Sequence, residues 1–237
     1  MQAQFVGPDG GLVTRRWCEA AVTVRFEQLA PAVAFEVLPG RRWGPGWWWS
    51  ATTGGHVAVD SSAMRSQLMV LDRDPRVAGL AGRPVRLIWR DAGSGRMRSW
   101  VPQLFARYTD GTALVADCPG RAGAGGERAA KAAAVVAGAC AYVGFVYRRL
   151  APLGEVAAAN LKWLACYRHP RNAGGPLLAQ ALRETFAAPV PLLEGAAQVG
   201  DSLVVLPAVF HALWSGRLSA DLTVPLHERI PVWAVGM

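Results

Sequence analysis

Arginine is the residue whose type and spacing in this chain point most directly to chemistry. Arg83, Arg86, Arg90, Arg96 and Arg98 fall along one predicted hairpin. Arg86 and Arg90 share a side of an alternating strand, as do Arg96 and Arg98 on the returning strand. Arg148-Arg149 and Arg168-His169-Pro170-Arg171 form further groups. A guanidinium fork matches phosphate oxygens in pairs, so such a hairpin could flank a duplex and neutralise its phosphates. The alternative is a solvated sheet edge kept from aggregating by its charge. The net charge of +8 and the near-absence of lysine, with only Lys131 and Lys162, favour a nucleic-acid partner over a small acidic metabolite. GC-rich coding would leave the same preference for Arg. The run Trp47-Trp48-Trp49 could stack on bases or pack an N-terminal arm.

Other chemistries find little support. His56, His169, His211 and His227 are scattered and form no H-E-x-x-H pair. His211 sits in the apolar run LPAVFHALW, where a buried or interfacial histidine with a satisfied hydrogen bond is expected. Gly123, Gly125 and Gly126 between a strand and a helix suggest a phosphate loop, but Arg128 stands where the third glycine belongs and no G-K-[ST] follows. No serine lies in a G-x-S-x-G elbow. Cys18, Cys118, Cys140 and Cys166 form no C-x-x-C pair and read as buried thiols of a cytoplasmic protein. The N-terminus MQAQFVGPDGG lacks the pattern of a secretory signal. The uncharged stretch Ala132–Tyr147 is rich in Ala and Gly and shorter than the roughly 20 residues of a membrane span, so no membrane association is expected.

The elements that must hold these residues follow from periodicity. Residues 20–38 alternate in part (Val22, Val24, Phe26) and predict a strand or hairpin arm. A Gly-, Pro- and Trp-rich loop follows. Ser61–Leu71 has helical spacing, with Ser61 or Ser62 as the cap, Met64, Leu68 and Leu71 on one face, and Asp72–Pro75 as the stop. Arg83–Arg90, Arg98–Tyr108 and Ala113–Asp117 predict a three-strand meander with turns at Asp91–Gly95 and Asp110-Gly111. An Ala-rich helix over Glu127–Ala141 and a strand over Phe145–Arg149 complete this part. Beyond residue 151, helices are predicted over Glu155–Tyr167, Leu177–Phe186 and Leu203–Trp214. The predicted class is α/β with a C-terminal mostly helical domain. The divisions are residues 1–48 as an arm, 49–150 as the α/β domain and 151–237 as the helical domain.

Several segments carry a resemblance: WSATTGGHV (Trp49–Val57), LMVLDRDPRV (Leu68–Val77), FARYTDGTALVAD (Phe105–Asp117), WLACYRHPR (Trp163–Arg171) and VGDSLVVLPAVFHALWSGRLSADL (Val199–Leu222). In these the chain resembles actinobacterial TnsA-like proteins, the endonuclease subunits of heteromeric transposases. The resemblance implies a restriction-endonuclease-like mixed sheet flanked by helices, DNA as a partner, and a DDE-type transposase subunit as another. It also implies a PD-(D/E)xK site, in which carboxylates hold Mg²⁺ over the scissile phosphate and a basic residue orients the attacking water.

At the positions of that site this chain departs from the family. The helical Glu corresponds to Met64, the Asp after proline to Gln103 following Pro102, the family's His to Trp100, and the basic residue to Pro119, while Asp117 keeps an acid. A thioether is a poor ligand for a hard cation and an amide carries no charge. The expectation is therefore a DNA-binding subunit impaired as an endonuclease, with no cofactor. In a second reading Asp60, Asp117 and Lys131 rebuild an active Mg²⁺ site. In a third, a DNA-binding regulatory protein reuses the fold. For Asp60 the ordinary alternative is a helix-start acid favoured by the dipole, and for Lys131 an exposed helical lysine.

Overall fold

The computed structural model describes residues 1–35, 44–120 and 126–236. The chain divides into two compact units, Met1–Leu71 with Arg76–Pro152, and Asp72–Pro75 with Leu153–Met237. The first unit opens with a hairpin. Strands β1 (Gln2–Val6) and β2 (Leu12–Arg16) pair antiparallel from Gln2↔Arg16 to Val6↔Leu12. Helix α1 (Trp17–Thr23) and a 3₁₀ turn at Phe26–Gln28 follow. The strand predicted from Val22, Val24 and Phe26 is thus absent over 20–28. Helix α1 buries Trp17, Ala20 and Ala21, at helical spacing, and Phe26 buries in the 3₁₀ turn, while Val22 is 86% exposed.

The ribbon β3 (Gly46–Trp49) with β4 (His56–Val59) buries Trp48 and leaves Trp47 at the surface. Most of the loop rich in Gly and Pro before it lies outside the described residues. Helix α2 (Ser62–Asp72) is capped by Ser61, whose Oγ accepts from Met64 N at 3.2 Å. Strands β5 (Val77–Gly82), β6 (Arg86–Arg90), β7 (Met97–Trp100), β8 (Leu104–Tyr108) and β9 (Ala113–Asp117) lead to helix α3 (Gly126–Tyr142) and strand β10 (Val146–Arg149). The phosphate-loop candidate at Gly123–Gly126 lies outside the described residues except for Gly126.

These strands build two four-stranded sheets, ordered β2-β1-β6-β7 and β10-β9-β8-β5. The predicted meander therefore does not form. Pro102 follows β7, and the chain changes sheets before β8. β7 pairs with β6, whereas β8 pairs with β9 and with β5, a strand that periodicity alone does not announce. A proline cannot donate to a ladder, which makes it a natural point of departure. β10 runs parallel to β9, with α3 as the crossover. At the end of β5 the backbone comes so close to β4 that a Cβ on Gly82 would stand 1.9 Å from the Ala58 carbonyl oxygen. Inside, Phe26 packs against Phe5, Trp17 and Phe105, and Phe145 meets Trp17 and Phe105 edge-on at 5.7 and 5.9 Å.

The second unit is helical around a small sheet. It contains α4 (Glu155–Leu164), two 3₁₀ turns, α5 (Gly175–Thr185), β11 (Val190–Pro191), α6 (Leu192–Val199), α7 (Ser202–Trp214), β12 (Leu218–Ser219) and β13 (Pro231–Ala234). The strands are ordered β11-β13-β12. His211 is buried and its Nδ1 lies 2.8 Å from the Tyr167 carbonyl oxygen. Burial lowers its pKa. Asn160 holds the loop before β13 through the carbonyls of Leu222 and Val224 and the amide of Leu226. Cys118 and Cys140 are buried, but Cys18 and Cys166 are exposed, so burial holds for only part of the cysteine set. Among the described residues no single helix is long and apolar enough to cross a membrane.

Candidate functional site

The start of α2, the segment after Pro102 and the end of β9 meet within the first unit. They bring Asp60, Met64, Gln103 and Asp117 into one hydrogen-bonded cluster. Gln103 is its centre. Its Nε2 donates to Asp60 Oδ1 at 2.9 Å and approaches Ser61 Oγ at 3.5 Å. Its Oε1 accepts from the amide of Cys118 at 2.7 Å. Its carbonyl oxygen accepts from Arg83 N at 2.9 Å. Met64 is fully buried, and its sulfur is 3.5 Å from Asp60 N.

Asp117, 6% exposed, closes the other side. Oδ2 accepts from Trp100 Nε1 at 2.7 Å and from the Tyr147 hydroxyl at 2.6 Å, and Oδ1 accepts from Gln103 N at 3.3 Å. The parallel register of β9 and β10 puts Tyr147 opposite Val115 and Arg149 opposite Asp117. Burial raises the Asp117 pKa, against the opposing pull of the Tyr147, Trp100 and Gln103 hydrogen bonds and the Arg149 charge. Burial and the Asp117 carboxylate together push the Tyr147 hydroxyl far up, so it remains a donor. Burial also pushes the Cys118 thiol up, which leaves it unreactive.

A raised carboxyl pKa has a definite consequence for stability. The folded chain holds the Asp117 proton more tightly than the unfolded chain does. The part of its contribution that this proton carries is fully present below the unfolded pKa and is lost as pH rises through the folded one, while the hydrogen bonds to the carboxylate remain. The unfolding free energy of the wild type minus that of Asp117→Asn should therefore fall with rising pH just above the ordinary carboxylate range. Urea unfolding across that range measures it, and a difference that stays flat or rises would contradict the shift.

Of the remaining candidates Arg83 touches this cluster, and the others add no polar group to it. Pro119, half-buried, follows Cys118 and adds no polar group. Lys131 stands on the exposed side of α3, with Nζ 2.7 Å from Glu127 Oε1 and both side chains mostly solvated. The arginines do not share one surface. Arg83, in the left-handed region at φ 54°, lies 3.7 Å from Asp60 Oδ2 and over the ring of Phe35. The pairing of β1, β6 and β7 sets Arg86 and Arg90 on the face of Gln4, Met97 and Ser99, and Arg98 on the opposite face with Leu87, Trp89 and Trp100. Arg86 reaches Gln4 Oε1 at 3.4 Å, and Arg90 donates to the Gly95 carbonyl at 2.9 Å. Arg90, Arg96 and Arg98 are exposed.

These groups are a poor fit to a hard dication. Gln103 presents an N–H, not an oxygen, toward Asp60. Both Asp117 oxygens already accept from internal donors, and Met64 offers sulfur. Among the described residues no group of three or more His, Cys, Asp or Glu is placed to hold a metal ion. What the arrangement does is satisfy buried polar atoms across α2, β9 and β10. Sequence reasoning does not reach Tyr147 or the Cys118 amide, since neither is near Asp60 or Gln103 in a motif. Only the β9–β10 pairing brings Tyr147 in.

No protein-family model and no curated protein matches the chain.

Proposed function

We propose that this chain is a TnsA-like, DNA-binding subunit of a heteromeric transposition system, impaired as an endonuclease. The observation that carries this reading is the meeting of Met64, Gln103 and Asp117 with Asp60 at one point. Met64, Gln103 and Asp117 stand on separate segments, and the resemblance assigns all three to one site. In support of a restriction-endonuclease-like reading, α2 precedes the antiparallel strands β5, β8 and β9, followed by α3 and parallel β10. The impairment rests on donor chemistry, because Gln103 and the partners of Asp117 supply internally what a metal would supply in a nuclease. The rearranged alternative has less support, since Lys131 is paired with Glu127 and stands outside the cluster. Transposon-end DNA is the proposed ligand, with exposed Arg90 and Arg96 facing phosphate. A DDE-type transposase is the proposed partner. The helical unit, which exposes Leu177, Leu203 and Val204, would offer the surface for it.

Two assays on the purified protein test this. Supercoiled plasmid incubated with Mg²⁺ or Mn²⁺ should remain uncut. Duplex binding should weaken steeply with salt, and Arg90→Ala with Arg96→Ala should lower the slope of log K against log salt by about one for each phosphate that is no longer neutralised. Nicking that disappears in Asp117→Ala would establish the active-site alternative instead. Absence of duplex binding at low salt would end the DNA-binding reading.

A further inference from the structure

Between the inward face of the β6–β7 hairpin and the first half of α3 lies a cleft of about 290 Å³. Trp89 and Trp100 line it from the hairpin, and Arg98, Arg128 and Lys131 stand around them. The register explains the grouping. Leu87 pairs with Trp100 and Trp89 with Arg98, so both indoles and the guanidinium share one face. Farther in, this face is covered, with Leu87 fully buried in the core, but both tryptophans are only half-buried. The acids of the cleft are already engaged. Asp91 accepts from Ser94 N and Oγ at 2.8 and 2.6 Å, and Glu127 pairs with Lys131. Arg98 and Arg128 are exposed, and Arg98 acts on Asp91 through its charge.

Two half-covered indoles beside exposed guanidinium groups match a flat aromatic ring that carries an anion. The volume suits one base with its sugar far better than a duplex. We propose that this cleft receives a single unpaired nucleotide of a DNA strand, with its base against Trp89 and Trp100 and its phosphate toward Arg98 and Arg128. This inference rests on the DNA-binding reading and deepens it. The protein would hold a frayed or single-stranded end while other cations hold the adjoining duplex. Trp100 also donates to Asp117, so Trp89 and Arg98, which take no part in that network, are the residues to change.

Fluorescence anisotropy with the full chain decides the matter, using a blunt duplex and the same duplex with a short unpaired extension. The wild type should bind the extended duplex at least tenfold more tightly, the scale of one stacked base. Trp89→Ala should erase that advantage while blunt-duplex affinity changes less than about threefold, Trp89→Phe should keep most of it, and Arg98→Ala should weaken the extended duplex more than the blunt one. A deoxynucleoside monophosphate should compete with the extension only at far higher concentration. Equal wild-type affinity for blunt and extended duplexes overturns the cleft assignment and leaves the DNA-binding reading intact. Tight binding of the free monophosphate without preference for the extension overturns a strand end as its source. Failure to bind either duplex removes both this inference and the reading beneath it.

Discussion

Asp117→Ala should lose about 3–5 kcal/mol of folding stability, because its removal leaves the Trp100 indole N–H, the Tyr147 hydroxyl and the Gln103 amide without their acceptor in a buried place. Each buried donor deprived of its partner costs roughly 1–3 kcal/mol, and neighbouring effects do not simply add. Asp117→Asn should lose less, since an amide oxygen still accepts from one side while its NH₂ faces a donor. Chemical denaturation at neutral pH measures both. A loss below about 1 kcal/mol for the alanine variant would mean that water satisfies the donors and that the carboxylate is not structural.

Putting acids back should have an effect of similar size with the opposite response to metal. Met64→Glu, Gln103→Asp and Pro119→Lys together place two new carboxyls beside Asp60, in a region where Met64 is fully buried. Without metal the crowded carboxylates repel one another and lose hydration, a cost on the order of several kcal/mol. The triple variant should melt well below the wild type in EDTA and regain much of the difference in Mg²⁺, since oxygens would then face a hard cation. The wild type should melt alike in both conditions. If the triple variant is indifferent to Mg²⁺, the three positions do not form a cation site even with acids in place, and the proposed descent from a nuclease centre loses its main support.

Much of the first unit is legible directly from local pattern. The α2 helix follows from Met64, Leu68 and Leu71 on one face and Ser61 at its start, and both cues operate within a few residues. The turn at Asp91–Gly95 is equally local, with the Asp91 carboxylate receiving Ser94. The failures have a common cause in long-range structure. Val22, Val24 and Phe26 alternate as a strand would, but Trp17, Ala20 and Ala21 provide the stronger buried face once β1 and α3 exist to cover it. Arg98–Tyr108 looks continuous, and only the competition between two sheets reveals Pro102 as a division. The arginines have a strand-like spacing, yet spacing alone cannot tell which face meets Gln4 and which meets α3. Around Gln103, Asp60 can be named from its place one turn before Met64. Tyr147 cannot, because a parallel strand pairing across α3 leaves no local trace.

Trp100 belongs to β7 in one four-stranded sheet, while Asp117 and Tyr147 belong to β9 and β10 in the other. A single carboxylate thus ties the two sheets together where the backbone between them is interrupted by Pro102. Peeling β7 away would take one of three donors from the buried Asp117 carboxylate, so opening either sheet alone carries a cost at that point. Amide protons on either side of that tie should exchange as one cooperative unit, and the hairpin edge that faces DNA in our reading is anchored to the interior through an indole nitrogen.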